Sequence, residues 1–328
     1  MIISTPAQQP SVAGKAAYTA KIRALCVIKN EADIIRQTLY DALRWCDQIF
    51  VLDNGSDDGS CEIVQEVASN NSKVVFAGCE SAPFHDGIRA NIYNTFKSEA
   101  NRGDWWCRLD ADEFYVDDPR KTLATIPEEC FSVWSACMSY YFTDVDLARY
   151  TANPEAFADS VPVFEKCRYY LNHWSEPRFF RHDARIHWRG LDGGFPLAVW
   201  TRPASVERIP VKHFAYRSPA QIQKRLDARR VAPGAKSAFA HEMVSDWAQT
   251  VAQIRTTGKF NGMPGGMPDS WRARVVPAEN LDFDAHDGLL VFNEDLMPAI
   301  PRPWSPARRI ATGLGIARHS LSDLLRRN

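Results

Sequence analysis

Four short, almost wholly apolar runs punctuate the first third of the chain, at residues 23–28, 48–52, 73–76 and 105–109. Runs of this length, rich in Val, Ile, Leu, Phe and Trp, read as buried strands of a parallel sheet. The segments between them carry apolar residues at helical spacing. Ile34, Ile35, Leu39, Ala42 and Leu43 do so in the first, and Ile63, Val64, Val67 and Ala68 in the second. A third helix is predicted to open at His85-Asp86-Gly87-Ile88-Arg89-Ala90-Asn91 and to run to about residue 100. Strand–helix alternation implies right-handed crossovers and an α/β fold. Ligands of such sheets bind outside the carboxyl ends of the strands.

Those ends are acidic. The first strand runs into Lys29-Asn30-Glu31, and the second into Asp53-Asn54-Gly55-Ser56-Asp57-Asp58-Gly59-Ser60, a turn-rich loop in which Asp58 or Ser60 can cap the next helix. The fourth delivers Asp110-Ala111-Asp112-Glu113-Phe114. Two nearby carboxylates repel unless a proton or cation sits between them. A divalent ion that also binds phosphate oxygens suits such a pair, because Mg²⁺ usually takes one or two protein carboxylates. Convergence of Glu31, Asp53, Asp110 and Asp112 on one crevice is the expectation.

The 328 residues are 45% hydrophobic and 24% charged, with a formal net charge of −1, which gives no argument for nucleic-acid binding. The eight cysteines are scattered without a Cys-x-x-Cys, so a zinc site is not expected, and reduced thiols suit the cytoplasm. Residues 1–20, rich in Ser, Ala, Gln and Pro, read as a loose tail without the pattern of a signal peptide. No apolar run is long enough to span a bilayer.

Beyond residue 118 the pattern is mixed. A short helix is predicted at 119–126, a β-prone aromatic segment at 131–142 and a surface insertion at 150–162. Strands are predicted at 164–170, 178–181 and 208–213, and helices at 219–232 and 243–254, with a Gly/Pro linker at 262–268. This divides the chain into a tail (1–20), a first half ending in the Asp-x-Asp strand (21–118), a second half (119–235) and a helical extension (236–328). In the last segment Ile310, Leu314, Ala317, Leu321 and Leu324 share one helical face among five arginines. Such a helix either docks on the body or lies on an anionic membrane surface, although Gly313 and Gly315 weaken it.

Taken in order, Lys29-Asn30-Glu31, the Asp53–Ser60 loop, Arg89-Ala90-Asn91 and Leu109-Asp110-Ala111-Asp112-Glu113-Phe114 resemble the family-two glycosyltransferases, with the closer likeness to bacterial family-two-like members acting on cell-surface glycans. The resemblance covers roughly residues 21–230. It implies a glycosyltransferase A-type fold, a nucleotide-sugar donor (UDP-type favoured), a divalent cation (Mn²⁺ or Mg²⁺) and inverting transfer to a glycan or lipid-linked acceptor. On it, Glu31 and Asp53 match nucleoside-binding positions, with Asp58 in the same loop, and Arg89 a basic position near the diphosphate. Asp110 and Asp112 match the ribose and metal positions. Val211-Lys212-His213-Phe214-Ala215-Tyr216-Arg217-Ser218 looks like the family's late His segment, with His213 a further metal ligand and Arg217 or Lys212 offsetting phosphate charge.

Transfer also needs a carboxylate to take the acceptor's proton. Between the Asp-x-Asp and His213 stand Glu165, Glu176 and Asp192; we expect Asp192, in Gly190-Leu191-Asp192-Gly193-Gly194, with Glu176 next. Each position also has a plainer reading. Glu31 suits a first helical turn, 53–60 a turn and cap, Arg89 a helix surface, and His213 a satisfied core histidine. The aromatics around His173, His182 and His187, including Trp174 and Trp188, read first as core and second as an acceptor-site wall. Two other functions fit an α/β sheet: a nucleotidyltransferase, for which Lys29-Asn30-Glu31 lacks the glycine-rich basic loop, and a non-catalytic glycan-binding relic, against which the Asp-x-Asp is intact.

Overall fold

The computed structural model describes residues 20–190, 193–231, 242–260 and 265–305. Residues 1–19 of the expected tail, Asp192, part of the linker (262–264) and the basic amphipathic segment after 305 lie outside them. Strand β1 (Ile22–Ile28) is buried along its whole length. It pairs in parallel with β2 (Gln48–Asp53) on one side and β4 (Trp105–Leu109) on the other, and β2 pairs in parallel with β3 (Val74–Cys79). Helices α1 (Ile35–Ala42), α2 (Ser60–Asn70) and α3 (Arg89–Phe96) make the crossovers. The order β3-β2-β1-β4 means that the chain leaves β1 in one direction and returns to its other side. The carboxyl ends of β1 and β4 are therefore the topological switch point, where a crevice opens.

Strand periodicity places the tryptophans of β4 on opposite faces. Trp105 joins the core under α1 and α2, with Ile35, Leu39, Val64 and Val67. Trp106 joins the core under α3, with Phe50, Tyr93, Phe180 and Trp188. Both are fully buried, worth about 4–6 kcal/mol each by area. The sheet is anchored on both sides at the strand that ends in the Asp-x-Asp.

The second half continues the same sheet. Strand β5 (Glu113–Tyr115) follows β4 and leads to α4 (Pro119–Leu123), which Asp118 caps through Arg120 N–H. Strand β6 (Ser132–Tyr141) pairs along one edge with β7 (Tyr169–Trp174) and then β8 (Pro177–Arg181), and along the other with β9 (Ala204–His213). β8 also pairs antiparallel with β4, and β9 with β5. β10 (Asp282–Phe283) closes the far edge on β7. The strands on either side of residue 118 thus belong to one continuous sheet.

The segment 150–162 is mostly exposed and is ordered by α5 (Asp144–Ala152), which starts with a Thr143/Asp146 capping box, and by the 3₁₀ turn after it, which buries Phe157 against Phe142. One expectation changes: residues 164–166 are not strand but part of α6 (Val163–Lys166), where Phe164 packs edge-on between Phe114 and Phe214. The remaining α-helices among the described residues are α7 (Ala198–Thr201), α8 (Pro219–Val231) and α9 (Trp247–Thr257), the last capped by Asp246.

Candidate active site

The loops after β1 and β2 are stapled to each other. Asn30 adopts a left-handed φ of 58°, a conformation Asn tolerates. Its N–H donates to Ser56 Oγ, and its Oδ1 accepts from Asp57 N–H. Glu31 N–H donates to Ser60 Oγ, and Ala32 N–H to Asp58 Oδ2. Asp53 is fully buried and accepts from Ser56 N–H at 2.8 and 3.1 Å, a local side-chain bond that fixes the turn. Asp53 and Asp58 thus shape the loop, while Glu31 faces the crevice.

Glu31 meets a residue from far along the chain. Arg217 is completely buried. It donates to both oxygens of Asp33, at 2.7 and 2.8 Å, to Glu31 at 2.7 Å and to Phe214 C=O at 3.0 Å. Arg217, expected to face phosphate, instead ties the β1 loop to the end of β9. Burial pushes Glu31 up to about 7, against the pull of Arg217. Lys212 points to the other face of the sheet and pairs with Asp284 at 2.5 Å.

Asp110 and Asp112 go to different places. Asp112 Oδ2 lies 3.4 Å from His213 Nε2 and 3.7 Å from Arg217 Nη1. Burial works against its charge, but His213 and Arg217 hold it well below the usual carboxylate range. Asp110 is taken by three arginines: Arg89 at the start of α3, Arg178 at 3.1 Å and Arg108 at 3.5 Å. Despite burial they keep its carboxyl well below the ordinary value. Arg178 also pairs with Glu113 and, at 2.9 Å, with Glu176, and Arg108 reaches Glu176 at 3.6 Å. Arg89 Nε and Nη1 and Arg108 Nε are buried without a hydrogen-bond partner among the described residues.

The donor set Asp110, Asp112 and His213 is therefore not gathered at one point. Among the described residues no three His, Cys, Asp or Glu side chains stand together as a metal site. Asp112 and His213 alone do fit a hard cation. Their 3.4 Å separation is close to the roughly 3 Å between adjacent corners of an octahedral site with bonds of about 2.1 Å.

Glu176 lies in the arginine cluster, its carboxyl held low by Arg178 and Arg108 against its burial. Gly194, beyond Asp192 in the same loop, lies against Arg108 and Asp86, and Gly190 packs on Gly87 so closely that a side chain on Gly87 would strike its carbonyl. His173 stays neutral, pushed down to about 4 by burial. Sequence reading had passed over Asp33, Arg108 and Arg178. The signal for the two arginines was a charge inside an apolar strand, as in Cys107-Arg108-Leu109 and Arg178-Phe179-Phe180.

No family model and no curated protein matches the chain. Among solved structures it is similar to the mannosyltransferase PcManGT from Pyrobaculum calidifontis in complex with GDP-Man and Mn2+, at 16% identity over 70% of this chain and 71% of that one, with a TM-score of 0.36. It is also similar to a mycobacterial protein, at 14% identity over 60% and 65% of the two chains, with a TM-score of 0.28. The superpositions are loose, and the fold class rests on the strand order above.

Proposed function

We propose that the protein is a metal-dependent, inverting glycosyltransferase that moves a sugar from a nucleotide-sugar donor to a hydroxyl of a cell-surface glycan or lipid-linked acceptor. The observation that carries this reading is the pairing, at the switch point of the sheet, of a carboxylate–imidazole pair with a packed arginine cluster. One suits a cation and the other an anion, and a metal-bound diphosphate is both. The order of the four sequence motifs supports the same reading.

In this scheme Asp112 and His213 hold the divalent cation, which when bound supplies Lewis-acid stabilisation of the leaving diphosphate. Arg89 and Arg108 direct charge-assisted donors at phosphate oxygens, and Asp110 keeps those guanidinium groups in place. Asp53 and Asp58 fix the nucleoside-facing loop, and Glu31 borders it. The acceptor's proton goes to Asp192 or to Glu176. Glu176 is a weakened base, because its arginine partners favour the ionised form. No helix among the described residues is long and apolar enough to cross a membrane; we place the enzyme in the cytoplasm, with membrane contact through the segment after 305.

The test is a thermal-shift panel of UDP, GDP, CMP and ADP with and without Mn²⁺, since a ligand of the folded state raises apparent stability. One nucleoside diphosphate should stabilise the protein only with metal, and Asp112→Ala should lose both that shift and donor turnover. A well-folded protein that responds to no nucleotide, or full turnover in Asp112→Ala, would overturn the reading. Within the same assay Asp192→Asn should keep the shift and lose transfer; persistence of transfer moves the base to Glu176.

A further inference from the structure

Strands β7 and β8, which follow each other along β6, each carry one bulge. The register shifts once opposite Cys137, which faces Trp174, and again between Val133 and Trp134, where Arg178 is the extra residue. Bulges re-aim side chains and concentrate beside active sites. The segment they bracket holds His173, Trp174, Glu176 and Arg178. It lies beyond the last β4–β8 pair, Cys107 with Phe179, so it continues past the carboxyl end of β4 along the crevice.

Trp174 shares a face of the sheet with the site. Its partner Cys137 precedes by two residues Ser139, the partner of His213, and residues two apart in a strand lie on one face. Its indole N–H also helps to hold the Glu176 carboxylate in its charged form. Glu176 pairs with Arg178, and Arg178 with Asp110. Yet half of Trp174 is open to solvent, at 50% exposure, whereas Trp188 in the same aromatic stretch is 1% exposed and packed on Tyr93 and Phe180. Of the two tryptophans from that stretch, one is core and the other is presented at the lip of the site.

A large ring costs hydrophobic free energy when left in water. Trp174 stands two residues from Glu176 with half of its surface open, so its ring is presented beside the charged groups of the site. Pyranose rings present an apolar C–H face of matching size, with hydroxyls at the rim. We propose that Trp174 is the acceptor platform: a pyranose ring stacks on its indole, which places a rim hydroxyl towards Glu176 and the arginine cluster. The acceptor is then a sugar rather than a simple lipid alcohol or a protein side chain. This rests on the transferase reading for its chemistry but not for its binding step.

Two measurements separate them. Saturation-transfer NMR with methyl α- and β-hexopyranosides, without donor, should show ring-proton contact in the wild type, retained in Trp174→Phe and lost in Trp174→Ala. In turnover with the same glycosides as acceptors, Trp174→Ala should raise acceptor KM about five- to tenfold, and Trp174→Phe by less than about twofold, with the nucleotide thermal shift unchanged in both. Sugar contact without turnover would leave the platform standing and sink the transferase. Turnover with acceptor KM unchanged in Trp174→Ala, or sugar contact that survives that change, would overturn the platform.

Discussion

At the scale of single residues, the fold places hydrogen bonds that fix protonation states. Trp106 Nε1 donates to His182 Nδ1 at 3.2 Å, so His182 is held as the neutral tautomer with Nδ1 free to accept. Burial lowers its pKa in agreement with that bond. A histidine depressed in the folded state contributes stability that is whole above its unfolded value of about 6.5 and is lost as pH falls below it. His182→Gln keeps an acceptor for the indole without a titrating group. In denaturant melts at pH 7 and pH 5, the variant should lose less stability between the two than the wild type does. Equal losses would show that His182 does not carry the acid limb. From sequence this histidine was only one of three in an aromatic stretch; its role depends on a strand pairing that sequence does not display.

At the scale of elements, the segment after β10 works as a strap. Asp284 is buried and accepts from Tyr140 OH and Lys212 Nζ, both at 2.5 Å. Further on, Val291 N–H donates to Tyr170 OH, Arg208 to Pro298 C=O, and Trp304 N–H to Trp200 C=O, with the two indoles stacked. The strap therefore crosses from β7 over β9 to α7. Lys212 and Tyr140 hold the Asp284 carboxyl below its usual value despite burial. A depressed carboxylate gives stability that is present above about pH 4 and fades as pH falls through the folded value. Lys212→Met, which strands Asp284, should cost roughly 3–5 kcal/mol, and much of that should return in Lys212→Met/Asp284→Asn. Additive losses in a double-mutant cycle would show that the two groups do not act as a pair.

At the scale of the whole molecule, Arg217 joins the two ends of the site. It holds Glu31 and Asp33 from the first crossover and sits four residues beyond the end of β9. Arg217→Met leaves two largely buried carboxylates without their partner and should destabilise by roughly 3–5 kcal/mol in urea titration. A change below about 1 kcal/mol would mean that the cluster relaxes into water. This long-range tie marks the limit of what sequence shows. The four parallel strands were legible because each is a short apolar run, and Trp105–Leu109 was legible to the residue. The acids at their ends were legible for the same reason. The division of labour between Asp110 and Asp112 was not, since it depends on Arg89, Arg108 and Arg178 arriving from three different elements.

The insertion of β8 between β4 and β6 also has a consequence for how the chain is made. The ribosome releases β1 to β4 first, before Phe179 and Phe180, which complete the cores around Trp105 and Trp106, have been made. The outer edge of β4 then stands bare until residue 181 emerges, which takes several seconds at elongation rates of roughly 5–20 residues per second. A bare edge beside such apolar surface is a template for pairing with another nascent chain. Truncation anywhere before β8 removes the natural cover, so the segment from β1 to β4 is not a free-standing unit that recombination can pass intact to another gene.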